Sequence, residues 1–432
     1  MRATFLALLF PLAVVAQEAP APETSGDPWP AIRAERVATL LPDAMDRADV
    51  DAWLVLCREN DNDPMARHVG CENAGGEAAF LFFRTASGVE PFAVSPAGEA
   101  ASLAELGQQE VIEIPRGESV WSSVVSLFQR FAPEAIAINR GGSPISDGLS
   151  STQYERMQAG LDDWMDRTAS AETLISEWLS VKTPEEVDFM RRAANLTALW
   201  QELAYAAAVP GVTTDRNIAD FLEAKMREAG VDDGWAPDQN PAVNSGRDRG
   251  HSHPTDRVIQ PGDFIQTDFG IRVGDMWVTD IQRFAYVLAP GETEAPPEAV
   301  AKWEAAKRGR QAAFEAMRPG ARGVDVDRAQ RAEMRASGSL PVMWSTGHPV
   351  GYWAHDSGPS LGGGQEGRTP SGAQLKTLRP GMTFAFDGFH SWPLANGETK
   401  TISVEEMVVI TEDGAEWLVP PQEDLILIRS RD

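Results

Sequence analysis

The sequence predicts an α/β (α+β) chain in which a smaller α/β domain precedes a larger domain built of two similar halves. Three observations carry this prediction. Helical and strand patterns alternate from about residue 31 to 169, as in a small α/β domain. From about residue 172 the order helix, helix, strands occurs and then recurs. Finally, Ile259-Gln260-Pro261-Gly262-Asp263-Phe264-Ile265-Gln266-Thr267-Asp268 lies without a gap over Leu378-Arg379-Pro380-Gly381-Met382-Thr383-Phe384-Ala385-Phe386-Asp387, with Pro, Gly and the final Asp coincident. A repeated unit of this kind implies two related halves around a shared cleft.

Taken in order, residues 1–16 carry one positive charge at Arg2, an apolar run from Ala3 to Val15 and small residues before Gln17. This is the pattern of a secretory signal peptide, too short to cross a bilayer as a helix. Residues 17–30, rich in Pro, Ala and Glu, read as a flexible linker. The expected location is therefore secreted or periplasmic, free of the membrane. The 432 residues suffice for two cores, and the net charge of −26 argues against binding a nucleic-acid backbone. Cys57 and Cys71 are the only cysteines. In an oxidising compartment they would close a short loop worth about 3 kcal/mol in the chain-entropy model; two free thiols are the alternative. Within a domain spanning 31–170, the pattern predicts a helix over 31–47, a strand over 52–57 and a hairpin of 78–84 with 89–94. A helix over 119–131 and a strand over 135–139 follow. Gly141-Gly142 lacks the spacing of a phosphate loop, and His68, in a polar stretch, reads as a surface residue.

The second domain, 171–432, opens at Thr183-Pro184-Glu185-Glu186, with Thr as N-cap, Pro at the first helical position and Glu at the third. A helix over 214–230 follows, and the pair returns over 297–319 and 324–338. Between the pairs, Gly262–Gly270 and Val278–Arg283 read as a hairpin turning at Gly274-Asp275. With the turn centred on Gly274, Asp268 faces Asp280, and directly opposed like charges are destabilising, more so when buried. Either one or two divalent cations neutralise the pair, or the hairpin is a surface ribbon with solvated carboxylates. In the second half Asp387 falls at the place of Asp268, and Glu405-Glu406 lies in a strand over 401–411 where a partner for Asp280 would stand. One glutamate faces each side of that strand. His251, His253, His348 and His355, four of the six histidines, flank these acidic strands. Mixed imidazole–carboxylate sets suit Mn, Fe, Co or Zn.

The segments His251-x-x-Pro254-Thr255-Asp256-Arg257, Asp268-Phe269-Gly270, Asp280-Ile281-Gln282-Arg283, Gly347-His348 with His355, Pro380-Gly381-Met382 and Val404-Glu405-Glu406 occur in one order. With them the chain from about 172 to 415 resembles the catalytic domain of the pita-bread (M24-type) metallopeptidases. That family includes methionine aminopeptidase, aminopeptidase P, prolidase and creatinase. Residues 31–169 resemble the creatinase-type N-terminal domain of the aminopeptidase P/prolidase branch. The resemblance implies a dinuclear metal-dependent exopeptidase, secreted by the pattern of residues 1–16, that hydrolyses the N-terminal bond of small peptides, Xaa-Pro aminopeptidase- or dipeptidase-like. It implies metal ligands at Asp268, Asp280, His348, Asp387 and Glu405 for two divalent ions, Mn foremost, with Co, Zn or Fe as alternatives. His251 and His355 would contact the substrate, a peptide, and the assembly would be a homodimer or higher homo-oligomer. Glu406 and Asp275 adjoin the site but should face away. Asp387 stands where the family has Glu, and one extra residue between Asp268 and Asp280 requires a three-residue turn or a bulge. Trp344 and Ser403 replace a His and an Arg of the proline-specific branch, which implies a substrate choice broader than Xaa-Pro. A metal-free creatinase-like hydrolase and a non-catalytic peptide-binding protein are the other readings of the same fold. Acidic or imidazole side chains at all five ligand positions disfavour both.

Overall fold

The computed structural model describes residues 27–60, 62–71, 76–250 and 252–429. The expected signal peptide and His251 lie outside them. The first sheet has six strands, in the spatial order Glu110–Ile114, Gly88–Pro96, Ala78–Thr85, Ala52–Cys57, Ile136–Ile138 and Thr168–Ser170. Ala52–Cys57 is buried at every position, which is why it reads as the continuous run Trp53-Leu54-Val55-Leu56 rather than as an alternation. It pairs antiparallel with Ala78–Thr85 and parallel with Ile136–Ile138.

Two features of this part differ from expectation. The helix expected over 31–47 is two helices, Trp29–Thr39 and Leu41–Ala48. Pro42 sits in the first turn of the second, where its missing N–H costs nothing but where a continuous helix would need that donor. His68 is not a surface residue. Cys57 and Cys71 form a disulfide, and the loop it closes folds inward at the short helix Ala66–Val69, leaving His68 3% exposed. Its ring meets those of Trp29, Trp178 and Tyr352. Burial, with Arg36 and Lys182 nearby, holds the imidazole pKa well below its usual value, so it is neutral. The polar sequence around it gave no sign of this enclosure.

The rest of the chain forms two four-stranded sheets and a small three-stranded one of Trp277–Val278, Ile271–Val273 and Asp232–Asp233. Of the four-stranded sheets, one orders Ile426–Ile428, Ile281–Val287, Phe264–Phe269 and Ala242–Ser245; the other orders Gly347–Pro349, Thr383–Pro393, Thr399–Ile410 and Ala415–Trp417. Helices Pro184–Ala207 and Asp215–Ala229 pack on the first sheet, and Pro297–Ala316 and Gly323–Ala336 on the second. The first of these helices begins as expected: Glu186 N donates to Thr183 Oγ1, and Thr183 N donates to the Glu186 carboxylate. Strands Ile281–Val287 and Thr399–Ile410 meet where the halves join. This is the pita-bread arrangement of pseudo-two-fold halves, preceded by a smaller α/β domain. Among the described residues no helix is long and apolar enough to cross a membrane.

Candidate metal centre

The geometry of the centre starts from the register of its hairpin. Gly274 and Asp275 both have positive φ, 57° and 56°, and Met276 N donates to Val273 O. Val273 pairs with Trp277, so the turn holds three residues and the hairpin is centred on Asp275 rather than Gly274. The opposed pairs are therefore Asp268 with Gln282 and Phe269 with Ile281. Asp268 and Asp280 do not face each other directly; moving the centre by one residue moves every partner by two. In the second half Asp387 pairs directly with Glu405. The internal match is thus Asp268/Gln282 with Asp387/Glu405, and the counterpart of Glu405 is Gln282, not Asp280.

Asp387 lies inside the strand Thr383–Pro393, its N–H donating to Thr346 O at 2.8 Å, so it does not cap a turn. His390, on the opposite face, has Nδ1 3.2 Å from Ser337 Oγ and takes no part. Glu406 also turns away, pairing with Arg283 at 2.9 Å and Arg310 at 3.1 Å. Asp275 is exposed on the turn.

What converges is a carboxylate–imidazole set. Ligand-capable atoms of Asp280, His348 and Glu405 all lie within 4.8 Å of one another. His348 Nε2 is 3.7 Å from both Asp280 Oδ2 and Glu405 Oε1. Asp268 and Asp387 line the same cavity, of about 500 Å³, and all four carboxylates are buried. Burial first, then Glu405, Asp268 and Asp387, pushes the Asp280 carboxyl well above the usual carboxylate range. Burial, then Glu405 and Asp268, does the same to Asp387. Such mutual repulsion is what a divalent cation removes, and four carboxylates with one imidazole fit Mn, Co, Zn or Fe. The residues present therefore fit divalent metal.

Gln282 is the residue that sequence reasoning missed. Its Oε1 accepts from Gln266 Nε2 at 2.6 Å and from Ser403 Oγ at 2.8 Å. Its Nε2 is thereby turned toward Glu405 Oε2 at 2.9 Å and Asp387 Oδ1 at 3.5 Å. Centring the turn on Asp275 would have found it. Ser403, where the proline-specific branch has Arg, is buried in this polar chain. Trp344 is 43% exposed at the cavity wall, opposite no cation of the lining, and Trp235 shares that wall. His355 is exposed at the mouth, its ring centroid 4.3 Å from that of His348; His253 is exposed and His251 lies outside the described residues.

A larger cavity, about 800 Å³ and lined by Arg257, Asp263, Trp392 and Lys400 among others, lies elsewhere. Its acids Asp263, Glu298 and Glu398 each pair with a cation, and it has no imidazole. Converging donors rather than volume locate the site.

The segment carrying His348 and His355 is held from behind. Asp356 pairs with Lys182 at 3.1 Å and accepts from Tyr352 N. The Tyr352 hydroxyl donates to Glu186 Oε1, whose other oxygen pairs with Arg36 at 2.7 Å. Burial alone would raise the Glu186 carboxyl, but Arg36, Tyr352 and Lys182 outweigh it and hold the pKa below the usual value. Helix Trp29–Thr39 thus reaches the back of the site through one chain of buried charge.

Comparison with known proteins agrees with this fold. YkvY of Bacillus subtilis is 25% identical over 344 residues, 78% of this chain and 86% of that protein. The Xaa-Pro dipeptidase of Lactobacillus helveticus is 23% identical over 290 residues, 66% of this chain and 72% of that one. Among solved structures, the Xaa-Pro dipeptidase from Bacillus anthracis superposes with a TM-score of 0.66 at 18% identity, covering 92% of this chain and 99% of its own. The model of metallopeptidase family M24 matches residues 188–412, the stretch that carries Asp268, Asp280, His348, Asp387 and Glu405, and the chain belongs to that family of peptide hydrolases.

Proposed function

We propose that the protein is an exported exopeptidase that uses two divalent ions to hydrolyse the N-terminal bond of small peptides. The observation that carries this is the convergence of Asp280, His348 and Glu405, with Asp268 and Asp387, in one buried cavity. These five side chains would hold the ions, with Mn foremost and Co, Zn or Fe as alternatives. When bound, the ions supply Lewis acidity, activating water and polarising the scissile carbonyl. The protein's own part is positional and protonic. Gln282 fixes the carboxylates of the second half from below. His355, at the mouth beside His348, would donate to the developing oxyanion or the leaving amine; the same role is proposed for His251 from its motif alone. Trp235 and Trp344 offer apolar wall without a cation, which supports a substrate choice broader than Xaa-Pro. Export is supported by the residue pattern of 1–16 and by the Cys57–Cys71 disulfide. A homodimer or higher homo-oligomer is the proposed assembly. The relatives whose names specify dipeptides support the peptide reading.

The test is a peptide panel run on chelator-treated enzyme with and without added Mn. Metal-dependent release of N-terminal residues, including from peptides without proline, is expected. Cleavage confined to Xaa-Pro bonds would overturn the specificity reading, and no cleavage with any metal would overturn the peptidase reading.

A further inference from the structure

We infer that the substrates are peptides longer than dipeptides, and that the seam between the two domains holds the part of the substrate beyond the reacting bond. This rests on the peptidase reading above. A second cavity of about 750 Å³ lies at the seam. Pro64, Ser143 and Ile145 wall it from the smaller domain, and Thr173, Trp353 and Lys376 from the larger. It shares His355 with the 500 Å³ cavity of the metal centre. Along the chain, Ala354 lines the metal cavity, Trp353 and Asp356 line the seam, and His355 lines both. His355 is thus a wall common to both spaces, and a chain leaving the metal centre past it would enter the seam.

The size and chemistry of the seam suit a peptide. Each cavity falls in the range of about 300–1,000 Å³ typical of ligand sites, and an extended chain advances only about 3.3–3.6 Å per residue. A dipeptide needs the metal cavity alone; the seam adds room for further residues. Ile145 and Trp353 give apolar surface for side chains, while Ser143, Thr173 and Ser357 bring hydroxyls that pair with main-chain amides. Lys376 Nζ, 2.9 Å from Ser176 Oγ and 3.5 Å from Glu177 Oε1, places a cation at the seam.

The experiment measures kcat/KM for Ala peptides, and for a parallel Ala-Pro series, of two to six residues with the Mn-reconstituted full chain, and repeats both series with Thr173→Trp and Ser143→Trp. Thr173 is exposed at the start of helix Glu172–Leu179, so a large side chain there fills the seam without entering a core. In the wild type, kcat/KM should rise from two to four residues. In each variant the ratio of the tetrapeptide value to the dipeptide value should fall at least tenfold. Cleavage of dipeptides alone by the wild type, or an unchanged ratio in both variants, would overturn the proposal while leaving the peptidase reading in place. No cleavage at any length would overturn that reading and the proposal with it.

Discussion

Gln282 shows how one neutral side chain organises a centre of charges. Its Oε1 is occupied by two donors, so only its N–H groups are left to face Glu405 and Asp387. A ligand carboxylate held by such a bond keeps one orientation, and losing an outer partner of this kind typically costs about 10–100-fold in metal affinity or activity. Gln282→Leu, close in volume, should weaken metal binding by that order in a titration followed calorimetrically. Unchanged affinity would reduce Gln282 to packing. His355 has a different part. Its ring stands against His348 at the exposed mouth, whereas the clustered ligand atoms belong to Asp280, His348 and Glu405. His355→Ala should keep its metal content and lose about 10²–10⁴-fold in turnover, the range of general acid–base catalysis. Loss of metal in that variant would make His355 a ligand.

At the scale of elements, the disulfide-closed loop of residues 57–71 carries a testable titration. Asp63 Oδ1 accepts from Met65 N and from Asn139 Nδ2, both at 2.8 Å, while Oδ2 is buried without a partner. Burial raises its pKa from 3.8 to about 6. The folded state therefore holds this proton more tightly than the unfolded chain does. The stability it contributes is complete below the unfolded value and is lost as pH rises through about 6, a change of at most about 3 kcal/mol. Asp63→Asn should flatten the denaturation midpoint between about pH 4 and 7, and an unaltered pH profile would contradict the assignment. Elements of this kind were unevenly legible in the sequence. Ala52–Cys57 and the capped start at Thr183 were readable to the residue, because a continuous apolar run and a Thr-Pro-x-Glu start are local signals. That Asp268, Asp280, His348, Asp387 and Glu405 share one cavity was readable because the internal repeat and the family motifs fix positions. The pairing of Asp268 was not, since it depends on two successive residues adopting positive φ at Gly274 and Asp275. Nor was the enclosure of His68, which is created by Trp29, Trp178 and Tyr352 from distant parts of the chain.

Across the whole molecule, the smaller domain is bound to the chemistry by the path from Arg36 through Glu186 to Tyr352. Both members of the Arg36–Glu186 pair are fully buried, and removing one partner of such a pair typically costs about 3–5 kcal/mol, because the other is left as an uncompensated charge. Arg36→Met should lower stability by about that amount in chemical denaturation; a loss below about 1 kcal/mol would show that the pair is dispensable. The two halves of the larger domain contribute Asp268 and Asp280 from one sheet region and His348, Asp387 and Glu405 from the other, so the centre exists only when the halves are assembled. Burial and the neighbouring carboxylates raise the Asp280 and Asp387 carboxyls, and a divalent cation among them would favour their ionised forms. The most direct test is to count the divalent ions bound per chain after chelation and Mn reconstitution, with peptide hydrolysis followed in the same samples. Two ions per chain, with activity rising as they bind, is the result expected; a folded protein that binds none and hydrolyses peptides equally well with and without metal would contradict it.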